Sequence, residues 1–425
     1  MENLTFPPDF LWGVSTSAFQ IEGATDADGR GQSIWDTFTA DQGQIVADDH
    51  YHRYPEDVAL MADLGVGAYR MSFAWPRIQP NGGGAPNPRG LDFYDRLLDA
   101  VCAAGISPAG TVYHWDLPQA LEDTGGWLAR DTAARFADYA AILGERFADR
   151  VRMWIPINEP MVTTVYGYAI GEYAPGRTLL LGAVPTAHHQ HLAHGLATQA
   201  LRAAGAESIG TANHHSPVWA AGDGEGDRAA ATWLDALLNR LFADPVLLGR
   251  YPDEMHEHLP EGFDGDLPVI AQPLDFYGVN YYEPQGAAAP GEGNPLPFEL
   301  RPIEGYPRTT NDSPIVPDGL RELLVGFRER YGEALPPVYI TENGCSFDGV
   351  HDPERIEFLK GHLAAVRAAM SAGVDVRGYF VWSLLDNFEW SKGYAPRFGL
   401  VQVDYETQRR TPKDSFAWYR KLVRK

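Results

Sequence analysis

The sequence predicts an α/β fold: a single (β/α)8 TIM barrel over residues 1–425, with extended loops after the strands. Three observations predict it. Short β-branched and aromatic runs alternate with amphipathic helical stretches along the chain. These runs number eight, ending near Ser15, Met71, His114, Asn158, Asn213, Asn280, Glu342 and Ser383. Most end in polar or aromatic residues where aliphatic ones would stand in a purely structural sheet, and a barrel gathers such strand ends on one face.

The helical stretches in order include Tyr54 to Leu64, Phe93 to Ala104, Thr132 to Phe147 and Pro353 to Ala372. In the second, Phe93, Leu97, Leu98 and Val101 form the apolar stripe of a helix packed on a sheet. Strands alternating with helices imply a parallel sheet, and eight such units close most naturally into a barrel. Arg70, His114, Asn158 with Glu159, Asn280 with Tyr282, Glu342 and Trp382 all fall where an apolar strand gives way to loop. The Pro/Gly-rich segment from Glu283 to Pro317 reads as an extended loop over the barrel mouth. The chain shows no hinge-like linker and no repeat beyond the strand–helix rhythm.

Composition narrows the partners. The chain carries 57 acidic against 34 basic residues, a formal net charge of −23. That field repels nucleic-acid phosphates and anionic lipid headgroups, so neither nucleic acid nor a membrane surface is expected. A neutral small molecule suits it better. Only two cysteines, Cys102 and Cys345, are present, which rules out a disulfide framework or a cysteine-based zinc site. The segment Met-Glu-Asn-Leu-Thr-Phe-Pro-Pro lacks the basic and apolar regions of a secretory signal. No apolar run reaches the ~20 residues of a membrane span. A cytoplasmic location is expected, and self-association into a homo-oligomer is left open.

Two segments share one form. Met153-Trp154-Ile155 leads into Ile157-Asn158-Glu159-Pro160, and Val338-Tyr339-Ile340 leads into Thr341-Glu342-Asn343-Gly344. Glutamates so distant in the chain meet only if strand ends converge. Paired carboxylates are what glycosidic bond cleavage needs: one protonates the leaving oxygen, the other attacks the anomeric carbon or activates water. A glutamate after a strand is weak evidence alone, and its company strengthens it. Trp12, Trp35, Trp75, Trp115, Trp127, Trp382 and Trp390 offer flat faces for sugar rings, and Gln20, His114, Asn158 and Glu389 offer directional hydrogen bonds. Arg70 would hold one carboxylate ionised while the other lies in a less polar site.

At this point a resemblance becomes specific. Phe10-Leu11-Trp12-Gly13 with Gln20-Ile21-Glu22-Gly23, Ser33-Ile34-Trp35-Asp36-Thr37-Phe38, and Tyr69-Arg70-Met71-Ser72 with Trp75-Pro76-Arg77-Ile78 stand in order along the chain. Tyr113-His114-Trp115-Asp116-Leu117-Pro118, Asn158-Glu159-Pro160 and Thr341-Glu342-Asn343-Gly344 follow. Trp382-Ser383-Leu384-Leu385-Asp386-Asn387-Phe388-Glu389-Trp390 and Arg397-Phe398-Gly399-Leu400 complete the set. Over nearly its full length the chain resembles glycoside hydrolase family 1, the β-glucosidase family. The resemblance implies a retaining β-glycosidase acting on a small β-glycoside or oligosaccharide, without cofactor or metal. It implies Glu342 as nucleophile, ionised by Arg70 and hydrogen-bonded by Tyr282, with Glu159 as acid/base. It also implies Asn158 on the sugar 2-hydroxyl, Gln20, His114, Glu389 and Trp390 on the other hydroxyls, and Trp382 as the floor, with Trp115, Asn280 and Phe398 in the binding set. Gln20 and Glu389 together accommodate either epimer at C4, so β-galactoside and β-fucoside activity stay open beside β-glucoside activity. Transglycosylation by the same glutamates is one alternative. A non-catalytic sugar-binding homologue is the other, disfavoured because no catalytic position is lost.

Other motifs read blandly. His188, His189, His191 and His194 lie on one helix without a cysteine or well-placed carboxylate, and are expected to pack rather than bind metal. Gly82-Gly83-Gly84 lacks the Lys-Ser/Thr of a phosphate cradle. Glu389-Trp390 stands where the family's phospho-sugar branch has a serine, so an unphosphorylated sugar is expected. Ser313 stands where many family members carry a tryptophan platform for the leaving group, which weakens stacking there by ~1 kcal/mol or more. Met161, following Asn-Glu-Pro, is expected to reshape the entrance.

Overall fold

The computed structural model describes residues 4–424; Met1, Glu2 and Asn3 of the N-terminal segment, and Lys425, lie outside the described residues. Eight parallel strands form the central sheet: β1 (Leu11–Ser15), β2 (Ala68–Ser72), β3 (Ser107–Tyr113), β4 (Met153–Ile157), β5 (Asn213–His214), β6 (Tyr277–Asn280), β7 (Val338–Asn343) and β8 (Val376–Trp382). Each ends within one residue of the position read from the sequence. Pairing runs β4-β3-β2-β1-β8-β7-β6-β5. The two edges meet: Trp154 pairs with Ile209 and Asn158 with Ala212, both parallel, and the Glu159 amide donates to the Ala212 carbonyl at 2.8 Å. With β4 joined to the approach to β5, the sheet closes into a barrel.

Helices cover its outside. The stretch read as Phe93 to Ala104 is part of the helix Pro88–Ala103, which buries Phe93, Tyr94, Leu97, Leu98 and Val101 against the sheet. Each such side chain withdrawn from water contributes about 1.5–3 kcal/mol. Pro88 sits in the first turn, where its missing N–H costs nothing, and Asn87 accepts from the Arg89 amide. β2 is buried along its whole length, as a strand sandwiched between helices and barrel interior must be.

Register aligns the site. Ser15 of β1 pairs with Arg70 of β2 and Trp382 of β8. Asn280 of β6 pairs with Glu342 of β7 and His214 of β5. β7 carries a register shift between Ile340 and Glu342 against β6, a bulge of the kind that re-aims a side chain. The segment read as an extended loop, Glu283 to Pro317, is more ordered than expected. Its strands Gln285–Ala288 and Glu299–Arg301 form a small sheet with Val218–Ala220, because the Gly- and Ala-rich stretch lets backbones approach closely. Among the described residues, no helix is long and apolar enough to cross a membrane.

Candidate active site

Glu159 and Glu342 open onto one cavity of about 170 Å³ at the C-terminal end of the barrel. Glu342 is almost wholly buried and accepts two strong hydrogen bonds: from Arg70 Nη1 at 2.5 Å and from the Tyr282 hydroxyl at 2.8 Å. Glu159 Oε1 accepts from Asn280 Nδ2 at 2.6 Å and lies 3.7 Å from His214 Nδ1. The carboxylates are therefore served differently, one by a cation and a phenol, the other by a neutral amide.

A single polar chain ties them together. Arg70 Nη2 donates to Asn158 Oδ1 at 2.6 Å, and Asn280 Nδ2 donates to the same oxygen at 3.1 Å. Asn280 Oδ1 accepts from Thr341 Oγ1 at 2.6 Å, which sets the orientation of its amide. Asn158 Nδ2 donates in turn to His114 Nε2 at 3.1 Å. Burial, assisted by Arg70, holds the His114 imidazole well below its usual value, so it is neutral. Because Nε2 accepts, Nδ1 carries the proton. That atom is buried and has no hydrogen-bond partner in the protein, so its donor is free.

Three residues here have left-handed backbone: Trp115 at φ 71°, Glu159 at φ 44° and Trp390 at φ 51°. Such strain outside glycine costs of order 1–3 kcal/mol and persists only where surrounding structure enforces it. Pro160 opens the helical turn after Glu159 with φ already preset, and the Trp115 indole N–H donates to the Asn158 carbonyl at 3.0 Å.

Burial pushes Glu342 up to about 7 against the neighbouring Arg70 guanidinium, and the nearby Glu159 adds to the rise. Burial, with the charge on Glu342 behind it, pushes Glu389 up to about 8. Burial and the Glu342 charge hold the Tyr282 hydroxyl protonated, so it remains a donor.

The profile of glycosyl hydrolase family 1 covers residues 2–425. The chain belongs to glycosyl hydrolase family 1. This family 1 chain is 49% identical to thermostable β-glucosidase B of Thermobispora bispora, over 100% of this chain and 91% of the relative. It is 43% identical to a bifunctional β-D-glucosidase/β-D-fucosidase of Bifidobacterium breve, over 99% and 98% of the two chains. A solved family 1 β-glucosidase from Thermotoga maritima, in complex with isofagomine lactam, superposes with a TM-score of 0.94 at 41% identity, covering 99% of this chain and 98% of that one. The family 1 chain is a glycoside hydrolase.

The sequence-read residues fall in two shells. His114, Trp115, Glu159, Tyr282, Glu342, Trp382, Glu389, Trp390 and Phe398 line the cavity. Arg70, Asn158, Asn280 and Gln20 stand directly behind them. Gln20, read as a sugar contact, donates through Nε2 to Asn387 Oδ1, the Phe388 carbonyl and Glu389 Oε2, and so orients Glu389. Of the seven tryptophans read as sugar-stacking faces, only Trp115, Trp382 and Trp390 reach the cavity. Trp75 stacks on Tyr139 in the core, Trp127 is buried with its N–H on the Tyr113 hydroxyl, Trp35 packs behind Trp390, and Trp12 sits edge-on to Tyr419. An aromatic residue near a strand end packs outward as readily as inward, and sequence alone does not separate the two.

The reading missed His214, Tyr166, Tyr173, Glu283 and Gln285, which line the cavity wall. His214 ends β5 and carried the strand-end signal. Tyr166 lies in the π-helical turn Thr163–Ala169, and nothing in its local pattern marks it. Among the described residues no cluster of three metal-ligating side chains is found. His188 bonds Tyr251 and Asp266, and His191 bonds Tyr251. Ser313 lines the outer cavity, at the position read as lacking its tryptophan.

Proposed function

We propose that this enzyme is a retaining β-glucosidase, with Glu342 as nucleophile and Glu159 as acid/base. The observation that carries the assignment is the asymmetry around the pair. Arg70 and Tyr282 both donate to Glu342, so when the pair holds a single proton Glu342 is the charged member. The shared proton resides on Glu159, where it faces the leaving oxygen.

In the first step a Glu342 oxygen bonds the anomeric carbon as its bond to the leaving oxygen breaks, and Glu159 delivers its proton to that oxygen. The glycosyl–Glu342 ester forms and the alcohol departs. Glu159, now a carboxylate, takes a proton from water as the water oxygen attacks the same carbon. The ester breaks, Glu342 regains its charge, and the sugar leaves with its original configuration. Tyr282 stays on Glu342 through both steps and stabilises the returning charge. His114 Nδ1, Glu389 and Trp382 bind the sugar, with Gln20 and Asn158 holding Glu389 and His114 in place. A carboxyl at Glu389 fits a free 6-hydroxyl and opposes a phosphate. The names of the relatives at 49% and 43% identity support a β-glucoside substrate, with β-fucoside as a second.

Two coarser readings go with this one. The catalytic unit is one barrel domain, supported by a single closed sheet whose strands run from Leu11 to Trp382. The enzyme resides in the cytoplasm, where the free thiols of Cys102 and Cys345 stay reduced.

Hydrolysis of p-nitrophenyl β-glucoside followed by proton NMR tests the assignment. The first glucose signal is expected to be the β-anomer. No release from p-nitrophenyl β-glucoside, β-galactoside or β-fucoside would remove the glycosidase function, and α-anomer first would remove the retaining mechanism.

A further inference from the structure

A second cavity, about 350 Å³, opens beside the catalytic pocket and shares Tyr166, His214 and Gln285 with it. Its character is opposite. Leucines dominate its walls, with Phe298 and Met161 among them, and polar surface is scarce. Both π-helical turns of the described chain contribute: Val165 and Ala169 from Thr163–Ala169, and Leu237 and Leu238 from Ala236–Arg240. π-helical turns are rare and recur at functional sites. Ile170, Leu180 and Leu300 at its rim are 39%, 41% and 56% exposed, apolar surface that a folded chain ordinarily hides.

Its position relates it to the chemistry. An acid must touch the oxygen it protonates, so the leaving group begins at Glu159. His214 stands 3.7 Å from Glu159 and is also part of the chamber wall. A leaving group extended past Glu159 on that side passes between His214 and Tyr166 into the leucine-lined space. A second sugar there would bring a hydroxyl on nearly every carbon and leave most of them buried without a partner, which disfavours it. A hydrocarbon gains by the same burial.

We propose that this chamber binds the aglycone of β-glucosides whose leaving group is an extended hydrocarbon, so that alkyl-chain glucosides are preferred over disaccharides. The inference rests on the β-glucosidase function proposed above and assigns its leaving-group class. The chamber takes the place of the aromatic platform that Ser313 lacks, on a different side of the entrance.

The test is a series from methyl to octyl β-glucoside, below micelle-forming concentrations, with p-nitrophenyl β-glucoside assayed in parallel. Methyl and octyl leaving groups have nearly the same basicity, so differences report binding. kcat/KM is expected to rise about twofold per methylene, on the order of 100-fold from methyl to octyl. In Leu238→Glu, in the wall, and in Leu300→Glu, at the exposed rim where folding is not at stake, the octyl-to-methyl ratio is expected to fall several-fold. A flat series while p-nitrophenyl β-glucoside is cleaved overturns the chamber's role and leaves the glycosidase standing. A steep series whose ratio survives both variants also overturns it. Absence of cleavage of every glucoside overturns the glycosidase reading, and this inference with it.

Discussion

At the catalytic floor, Arg70, Asn158, Asn280 and Glu342 are buried, yet they share one continuous set of hydrogen bonds. Across His214, Leu234, Leu237 and Leu238 line a chamber whose surface is mostly apolar. The floor holds its groups rigidly, since each buried polar atom left unpaired costs more than a hydrogen bond returns. The chamber is adaptable, because dispersion and burial have no direction. The floor thus fixes the geometry at the reacting carbon, whereas the chamber selects only apolarity and length.

The comparison breaks most visibly at the nucleophile. Glu342→Gly is expected to lose about four orders of magnitude or more in kcat with p-nitrophenyl β-glucoside, the scale of losing a catalytic nucleophile. Added azide is expected to restore turnover, giving the α-glycosyl azide, detectable by NMR. Hydrolysis at the unaltered rate would take Glu342 out of that role.

Tyr282→Phe is the next largest change. It removes one donor from Glu342 and keeps the ring that stacks on His214. A loss of about 10²–10³-fold in kcat is expected, as for one preorganised donor, with circular dichroism unchanged. A loss confined to KM would make the phenol a substrate contact instead.

A pH profile sharpens the asymmetry of the pair. Burial, with the Glu159 charge adding to the rise, pushes Glu342 up to about 7, and the proton that this pair shares is needed on Glu159 for catalysis. kcat/KM is therefore expected to fall as pH rises through about 7. A profile that rises through 7 would mean that the proton blocks the nucleophile instead.

The outer region responds more weakly. Ser313→Trp is expected to improve kcat/KM for cellobiose about fivefold, the worth of one aromatic stacking surface. Alkyl glucosides, bound on the other side, are expected to change less than twofold. Equal gains for both would join the two sides into one site.

The smallest effect concerns stability. Burial holds Glu389 up to about 8, above its unfolded value. Such a group binds its proton more tightly when folded, so its stabilisation is present at low pH and is lost as pH rises through about 8. Glu389→Gln is expected to match the parent's melting temperature near pH 5 and exceed it by a few degrees at pH 9. Identical values at both would show that this carboxyl charges freely.

Much of the barrel was legible in the sequence because its signals are local. A strand such as Ala68–Ser72 and a helix such as Pro88–Ala103 carry their periodicity within one turn or pleat, and their boundaries fell within a few residues. Glu159 and Glu342 were legible because each ends an apolar run. Tyr166 and Glu283 were not, since they sit in a π-helical turn and a loop whose pattern does not encode direction, and neither was Gln285, which opens a short strand outside the barrel. Trp75 and Trp127 were misread for the converse reason, as their residue type suggested a surface that packing assigned to the core.

By itself the sequence determined the eight-strand rhythm, the two glutamates and the set of polar strand ends, because strand periodicity and motif spacing are properties of neighbouring residues. Only the tertiary structure decided which side chains face the cavity and which brace it from behind. It set Gln20 against Glu389 and Asn280 against Glu159, and it set the leucine chamber beside that second glutamate. Those outcomes depend on barrel register and on loops folded from distant parts of the chain, where burial and unpaired hydrogen bonds are settled by all neighbours at once.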